Sequence, residues 1–337
     1  MTKTYFLGAN SEDGFFSLYD FFPPDGAFLH IIKGGPGGGK SGFMRAIGAE
    51  AERRGLDTEY VLCSGDPDSL DGVYIPALNA AWVDGTAPHA LEPKIFGVTG
   101  DYVNLGRFCR VPTKASADRI ADISRSYKKL YAEAYGYISA AGKLSAAAEF
   151  QFDALARRIE TILRRCPPED TPRERHIFLR AISCRGLISP ESAPDGYGEV
   201  YQFTSAFGGS APALELVRKI AARHGLSALV SMSPLHPRQA DTVLLPGCGI
   251  AFFGEKYGLK TARHIRLDSL IAEAPSAQRR ADAKAAAALE RKLLRLAEDK
   301  LRAAKALHDE LELQYRPHMD FAALTEFTAA EIKKIFA

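Results

Sequence analysis

The chain has 337 residues, 46% of them apolar and 25% charged, with a formal net charge of +2. That length accommodates two domains with full cores, and the balance is ordinary for a globular protein. Near-neutral charge removes any global reason to expect a nucleic-acid or membrane partner. Five cysteines, at 63, 109, 166, 184 and 248, form neither a C-x-x-C pair nor a Cys/His cluster, so a reduced protein without structural zinc is expected. The start Met-Thr-Lys-Thr-Tyr-Phe-Leu-Gly lacks the apolar stretch of a secretory signal, and no segment approaches the roughly 20 apolar residues of a membrane span. A cytoplasmic location is the default expectation.

In chain order, the first strong signal is the apolar run Phe28, Leu29, His30, Ile31, Ile32, suited to a buried strand. Gly34 to Ser41 then reads GGPGGGKS, the phosphate-binding P-loop pattern, and Phe43, Met44 and Ile47 follow at helical spacing. Strand, glycine loop and helix is the order that phosphate binding requires. Glycines 34, 35, 37, 38 and 39 lack a Cβ, so the backbone can turn its N–H groups onto phosphate oxygens. Pro36 and Gly42 complete the expected nucleotide-binding run, and the helix adds the positive end of its dipole. Lys40 is expected to reach the outer phosphates and Ser41 to coordinate Mg²⁺.

The helix is expected over about 40 to 54, closed by Gly55, with a second strand at Thr58 to Cys63. An acidic or polar loop follows, then a third strand at Asn79 to Val83. A P-loop needs an acid at the end of a neighbouring strand to order Mg²⁺. Asp84, closing that third strand, is the first candidate for this metal role. Asp66 is the next candidate and could also place the attacking water; Asp68 and Asp71 share its loop, where turn formation and capping explain such residues equally well. Asp84 is followed by Gly85 and not by a glutamate, so slow hydrolysis is expected. His89 could sense the γ-phosphate or simply be a solvated loop residue. No Asn-Lys-x-Asp sequence supports guanine, which leaves ATP by elimination.

From Ala115 to Arg165, apolar residues including Ile120, Ile123, Tyr127, Leu130, Ala134, Ile138 and Ala141 step by threes and fours, and Leu155, Ile159 and Ile162 resume the stripe. This is a helical segment, either forming hairpins and coiled-coil arms or packing on the sheet. Three prolines in Pro167 to Pro172 interrupt it as a linker.

Beyond the linker the chain repeats. Thr204 stands to Gly34 at an offset of 170 (204 − 34), and at that offset Arg53, Gly55, Leu56, Pro67, Asp71, Val73, Pro76 and Ala81 recur as Arg223, Gly225, Leu226, Pro237, Asp241, Val243, Pro246 and Ala251. The phosphate chemistry does not recur: Lys40 becomes Ser210, Ser41 becomes Ala211, Gly37 becomes Phe207 and Asp84 becomes Gly254. A second helical stretch runs over Ala277 to Tyr315, with Leu289, Leu293, Leu296, Leu307 and Leu311 expected on one face. Basic residues of 279 to 305 alternate with acids there, which suits a solvated face better than a nucleic-acid surface. Thr328 with Glu331 has the capping-box spacing of one last short helix.

The expected fold is therefore α/β: two tandem P-loop NTPase-like lobes, each a mostly parallel sheet flanked by helices, with long helical segments appended. Lobe one spans 1–166 (core to about 112), the linker 167–174, and lobe two 175–337 (core to about 272, helical segment to about 316, then a C-terminal tail).

Phe6-Leu7-Gly8-Ala9-Asn10 with Gly14-Phe15, the glycine loop, Cys63 to Gly72, Ile75-Pro76, Asp84 to His89 and Met319-Asp320-Phe321 resemble a poorly characterised bacterial family of tandem P-loop ATPases. The resemblance extends over nearly the whole chain and implies that fold with ATP binding, but no particular substrate. Members usually carry a P-loop in both halves, and this chain departs from them in the second.

The function expected from the sequence is Mg²⁺-dependent ATP binding with slow hydrolysis in lobe one, catalysed through Lys40, Asp84 and Asp66, switching the helical arms or the interface between lobes. The alternatives are a small-molecule kinase and a nucleotide-gated scaffold that engages a protein partner through its helices with negligible turnover.

Overall fold

The computed structural model describes the whole chain apart from residues 1, 25, 88–90, 111–113, 145–147, 190–195, 255–256 and 258. Two six-stranded sheets organise it. The first has the order β1 (Thr2–Phe6), β5 (Thr58–Leu62), β6 (Leu70–Ile75), β7 (Ala80–Asp84), β4 (Phe28–Lys33), β8 (Gly100–Asn104). Of these, β6 alone runs antiparallel to its neighbours. The second sheet repeats the order as β9 (Glu174–Ile177), β13 (Ala228–Met232), β14 (Ala240–Leu245), β15 (Ile250–Phe253), β12 (Glu199–Thr204), β16 (Arg263–Arg266), with β14 as its antiparallel member. Even the register shift recurs, at Val61/Leu62 in one sheet and Ser231/Met232 in the other. Each half also has a small hairpin, β2 (Gly8–Ser11) with β3 (Gly14–Ser17) and β10 (Ala181–Ser183) with β11 (Gly186–Ile188).

The mixed α/β class and the mostly parallel sheets agree with expectation, and the antiparallel strand is a correction. The segment between the second and third expected strands is not all loop: Leu70 to Ile75 is a wholly buried strand, as is Ala240 to Leu245. Its pattern is masked by an aspartate at the second position, which the fold satisfies internally. Tyr19 Oη donates to Asp71 at 3.2 Å, and Tyr257 Oη donates to Asp241 at 2.9 Å.

Helices α1 (Lys40–Arg53) and α4 (Ser210–Arg223) lie on their sheets through Phe43, Met44, Ile47 and Ala51, and through Ala213, Leu214, Val217 and Ile220. Both end in the same cap. Gly55 N–H donates to Glu52 O and Leu56 N–H to Ala51 O, and Gly225 and Leu226 repeat the pair.

The two sheets meet at their edges, where Phe6 and Phe178 exchange N–H···O bonds of 2.8 and 2.9 Å. One continuous core runs through the junction and includes Phe6, Val61, Phe178 and Val230. Asn10 adds a bond from its side-chain amide to Ile182 O at 2.7 Å.

The helical segments are exchanged between halves. α2 (Lys114–Gly142) and α5 (Ala277–Tyr315) run antiparallel along each other, the most extensive helix pairing in the fold, with Lys300 bonded to Glu133 at 2.7 Å and Arg119 to Glu310. Their seam buries Ala134, Ile138 and Ala141 against Ala297 and Leu301. α3 (Asp153–Leu163) packs on α4 of the other half, where Glu160 accepts from Arg223 at 2.6 Å. α6 (Phe321–Ile335) packs on α1, stacking Phe327 on Phe43.

Two expectations fail here. Leu289 and Leu296 are exposed, because the α5 seam is built on Ala297, Leu301, Ala304 and Leu311, whose alanines let α2 approach closely; of the expected stripe, Leu311 is buried and Leu293 packs beside the seam. The expected last helix is present, but its start is misplaced: it is 15 residues long and is capped by Asp320, whose side chain accepts from Ala323 N–H at 3.0 Å. Thr328 sits inside it, donating to Leu324 O at 2.8 Å, and caps nothing.

Across the sheet junction, Arg175 donates to Glu59 at 2.9 Å, and Tyr5 Oη donates to the same carboxylate at 2.8 Å. Burial pushes the Glu59 carboxyl up, but the Arg175 bonds and charge with the Tyr5 bond outweigh it and hold it below the usual glutamate value. A depressed carboxylate stabilises the fold at neutral pH, and that contribution is lost as pH falls through its folded pKa. Arg175→Met should destabilise by about 2–4 kcal/mol, because it leaves a buried carboxylate with only the Tyr5 hydroxyl and the half-exposed Lys3 ammonium beside it. Denaturant titration at pH 7 checks this; adding Glu59→Gln should recover much of the loss, and a strictly additive double variant would contradict the pairing.

Candidate functional site

β4 delivers the chain to the loop 34–39, and α1 leads away from it. Gly37 and Gly39 have φ of 64° and 83°, the left-handed region, so side chains there would strain the turn. Space reinforces the choice: a Cβ on Gly39 would lie 2.5 Å from Leu324 Cδ2, and one on Gly37 3.1 Å from Glu312 Cβ. Among the described residues, the amides of Gly37 and Gly39 donate to no partner outside regular secondary structure. The first amides of α1 have no intrahelical acceptor either.

Lys40, the first residue of α1, folds back over the loop. Its Nζ donates to Gly34 O at 2.9 Å and Gly35 O at 3.0 Å, and lies 3.6 Å from Asp84 Oδ2. Asp84 reaches this point because β7 pairs parallel with β4, placing Asp84 beside Ile32. Its Oδ1 accepts from Thr86 N–H at 2.8 Å and Thr86 Oγ1 at 2.6 Å. Burial pushes the Asp84 carboxyl above its ordinary value, and Lys40 and Thr86 only partly offset this. Ser41 Oγ accepts from Leu70 N–H at 3.0 Å, which ties the helix start to β6.

These groups line a cleft of about 530 Å³. Of the run expected to bind nucleotide, Gly34, Pro36, Gly37, Gly38, Gly39, Lys40, Ser41 and Gly42 all face it; Gly35 contributes its carbonyl to Lys40 from behind. Asp66 faces the cleft too, 3.4 Å from Lys305 Nζ, with Oδ1 accepting from Asp68 N–H at 3.3 Å. Asp68 pairs with Arg185 of the second half, and Asp71 is buried against Tyr19. His89 lies outside the described residues. The sequence offered no signal for the far wall. Tyr127 of α2 and His308, Glu312 and Arg316 at the end of α5 close the cleft, and only the exchange of arms brings the last three there.

The corresponding loop of the second half turns differently: its left-handed residues are Gly208 and Gly209, at φ 75° and 96°, where the first loop has Gly37 and Gly39. Phe150 covers Gly209, 2.6 Å from where a Cβ would be, as Leu324 covers Gly39. The Asp268 carboxylate accepts from Ala206 N–H at 3.2 Å and from Ser205 Oγ at 2.7 Å, and Phe207 N–H donates to Ser205 Oγ at 3.0 Å. The Ala206 and Phe207 amides there are satisfied by the protein itself, while among the described residues those of Gly208 and Gly209 donate to no partner outside regular secondary structure. Arg180 Nε donates to Asp241 at 3.1 Å and the guanidinium lies 4.3 Å over the Tyr257 ring, so that buried aspartate is neutralised internally as well.

No protein-family model, curated protein or solved structure matches this chain. No helix among the described residues is long and apolar enough to cross a membrane.

Because burial raises Asp84, its ionised form is penalised in the folded state, and that penalty fades as pH falls through the raised pKa. The stability difference between wild type and Asp84→Asn should therefore move in favour of wild type between pH 7 and 4.5. Urea titrations across that range read the difference directly. A constant difference would mean that Lys40 fully compensates the burial.

Proposed function

We propose that this protein binds Mg-ATP at one site, in lobe one, and hydrolyses it slowly. The observation that carries the reading is the position of Lys40: its ammonium is held by the Gly34 and Gly35 carbonyls beside Asp84, above a loop whose Gly37 and Gly39 amides find no acceptor. A positive charge, free amides and a helix N-terminus converging on one cleft form an anion site. Magnesium fits the residues present, since this ion keeps most of its waters and takes one or two protein oxygens besides phosphate. Ser41 Oγ would bind it directly and Asp84 would order its water; the ion would neutralise phosphate charge. Lys40 would turn from its carbonyls to the phosphates, and the loop amides would hold the inner phosphate oxygens. Asp66 is the acid best placed by the sequence argument to orient the attacking water.

In the second half the lysine, the hydroxyl and the acid are absent, and Asp268 already satisfies the loop amide of Ala206. A hydrogen bond to a charged group is worth about 1.5–3 kcal/mol, so losing the lysine and the Ala206 amide weakens any hold on a triphosphate there.

A second reading, the nucleotide-gated scaffold, is favoured by the way the end of α5 lies against the loop. Glu312 and Tyr315 approach Gly37 and Gly35 closely, so occupancy of the cleft is felt by a helix 39 residues long. The two readings share one site and differ in turnover.

Calorimetric titration with Mg-ATP should give one site per chain, and Lys40→Ala should weaken binding by at least about tenfold, the equivalent of 1.4 kcal/mol. Two sites per chain would overturn the single-site reading; binding unaffected by Lys40→Ala would place the nucleotide elsewhere.

A further inference from the structure

We propose that Arg316, delivered by the helical arm of the second half, is the catalytic cation on the outer phosphate in lobe one. The inference rests on the nucleotide reading of the cleft and adds to it the group that completes the site.

Charge is the first argument. Five carboxylates line the cleft, from Asp66, Asp68, Asp71, Asp84 and Glu312, against two permanently charged bases, Lys40 and Arg316. Lys305 and Arg185 stand outside it, paired with Asp66 and Asp68. A triphosphate entering this surplus of negative charge needs more than one cation. Lys40 is one. The Arg316 side chain makes no hydrogen bond or ion pair among the described residues, although Glu312 lies one helical turn away. A guanidinium facing an acidic cleft without a carboxylate partner is suited to a ligand's oxygens.

Position is the second argument. A P-loop lysine reaches the β- and γ-phosphates, and the Lys40 side chain that would swing to them is held at the Gly34–Gly35 end of the loop, on the carbonyls of those two residues. Tyr315, adjacent to Arg316, lies against that end: a Cβ on Gly35 would come 3.2 Å from Tyr315 Cε1.

Rigidity is the third. Arg316 opens a turn stapled to lobe one on its far side, where Arg110 N–H donates to His318 O at 2.8 Å and Asp320 N–H donates to Phe108 O at 2.8 Å. The arginine is therefore held at the cleft by backbone bonds and is not carried on a loose tail.

In hydrolysis, the water oxygen bonds to the γ-phosphorus as the bond to the bridging oxygen breaks. That oxygen leaves with the electron pair on ADP, and a water proton passes to the phosphate or to solvent. Charge shifts onto the γ oxygens and the bridging oxygen, where a guanidinium acts most strongly; in phosphoryl transfer such an arginine accounts for about 10³–10⁵ in rate. Supplying it from α5 makes turnover depend on the seat of that helix.

The test compares full-length wild type, Arg316→Ala and Lys40→Ala by calorimetry with Mg-ADP, with and without aluminium fluoride, and by ATP turnover. Arg316→Ala should bind Mg-ADP within about twofold of wild type, lose at least about tenfold of the tightening by aluminium fluoride, and turn over at least about 100-fold more slowly. Its thermal melting should match wild type, because the side chain is exposed and unpaired. An Arg316→Ala variant that keeps the aluminium fluoride effect and the wild-type rate overturns the proposal, as does a wild type that shows neither. Wild type that binds no Mg-ADP, or binds it as well after Lys40→Ala, overturns the nucleotide reading itself and this proposal with it.

Discussion

The antiparallel pairing of α2 with α5 is the constraint on which the rest of this molecule depends. Each helix begins at the cleft of its own half and ends at the loop of the other. Gly142 of α2 faces the second-half cavity, while Glu312 and Arg316, at and just past the end of α5, face the first. The spacing Ala297, Leu301, Ala304, Leu311 is that of a short coiled-coil seam, and its alanines allow the close approach that fixes both ends at once. With α3 seated on α4 and α6 on α1, neither half closes its glycine loop with its own chain. The site in lobe one is a composite of residues nearly three hundred positions apart, from Gly34 to Phe321.

Pseudo-symmetry gives each half a glycine loop that lines a cavity, and the two loops differ in the polar groups around them. Both halves place an apolar side chain of an exchanged helix or its flank on the glycine before the central helix, Leu324 on Gly39 and Phe150 on Gly209. Both bury an aspartate on the antiparallel strand. The difference lies in what reaches the loop amides and that aspartate. In the second half Asp268 takes an amide and Arg180 takes Asp241, so the polar groups satisfy each other. At the start of each half Phe6-Leu7 match Phe178-Leu179 at an offset of 172, so the position matching Arg180 in the first half is Gly8, which brings no charge.

Much of the scaffold was legible because the glycine loop, the helix after it and the repeat all express local chemistry. Gly55 and Gly225 signal their caps, and Asp84 ends a strand that parallel pairing must set beside β4. What escaped depended on contacts distant in sequence. Leu70 to Ile75 is a strand despite its aspartate because Tyr19, some fifty residues earlier, satisfies the carboxylate. The α5 seam was misread because leucines outweigh alanines in a hydrophobic pattern, whereas close helix packing favours the alanines. Arg316 gave no signal at all: an arginine before a proline near a helix end is unremarkable until the exchange of arms sets it at a cleft formed by residues 34 to 87.

The shared core accounts for the retention of a lobe without phosphate chemistry. Phe6 and Phe178 join the sheet edges, and the same buried cluster extends from Ile31 beneath the first loop to Phe203 beneath the second. Removing the second half would expose this junction, unseat α6 from α1 and strip α5 from the cleft. The second lobe therefore acts as the fixed platform from which α5 is presented to the first. One helix, α5, thus carries Glu312 and Tyr315 against the first loop and Ala283 and Lys284 to the cavity of the second half. Between these ends Ala297 and Leu301 pack on Ala134, Ile138 and Ala141 of α2, so both ends take their places from a single seam.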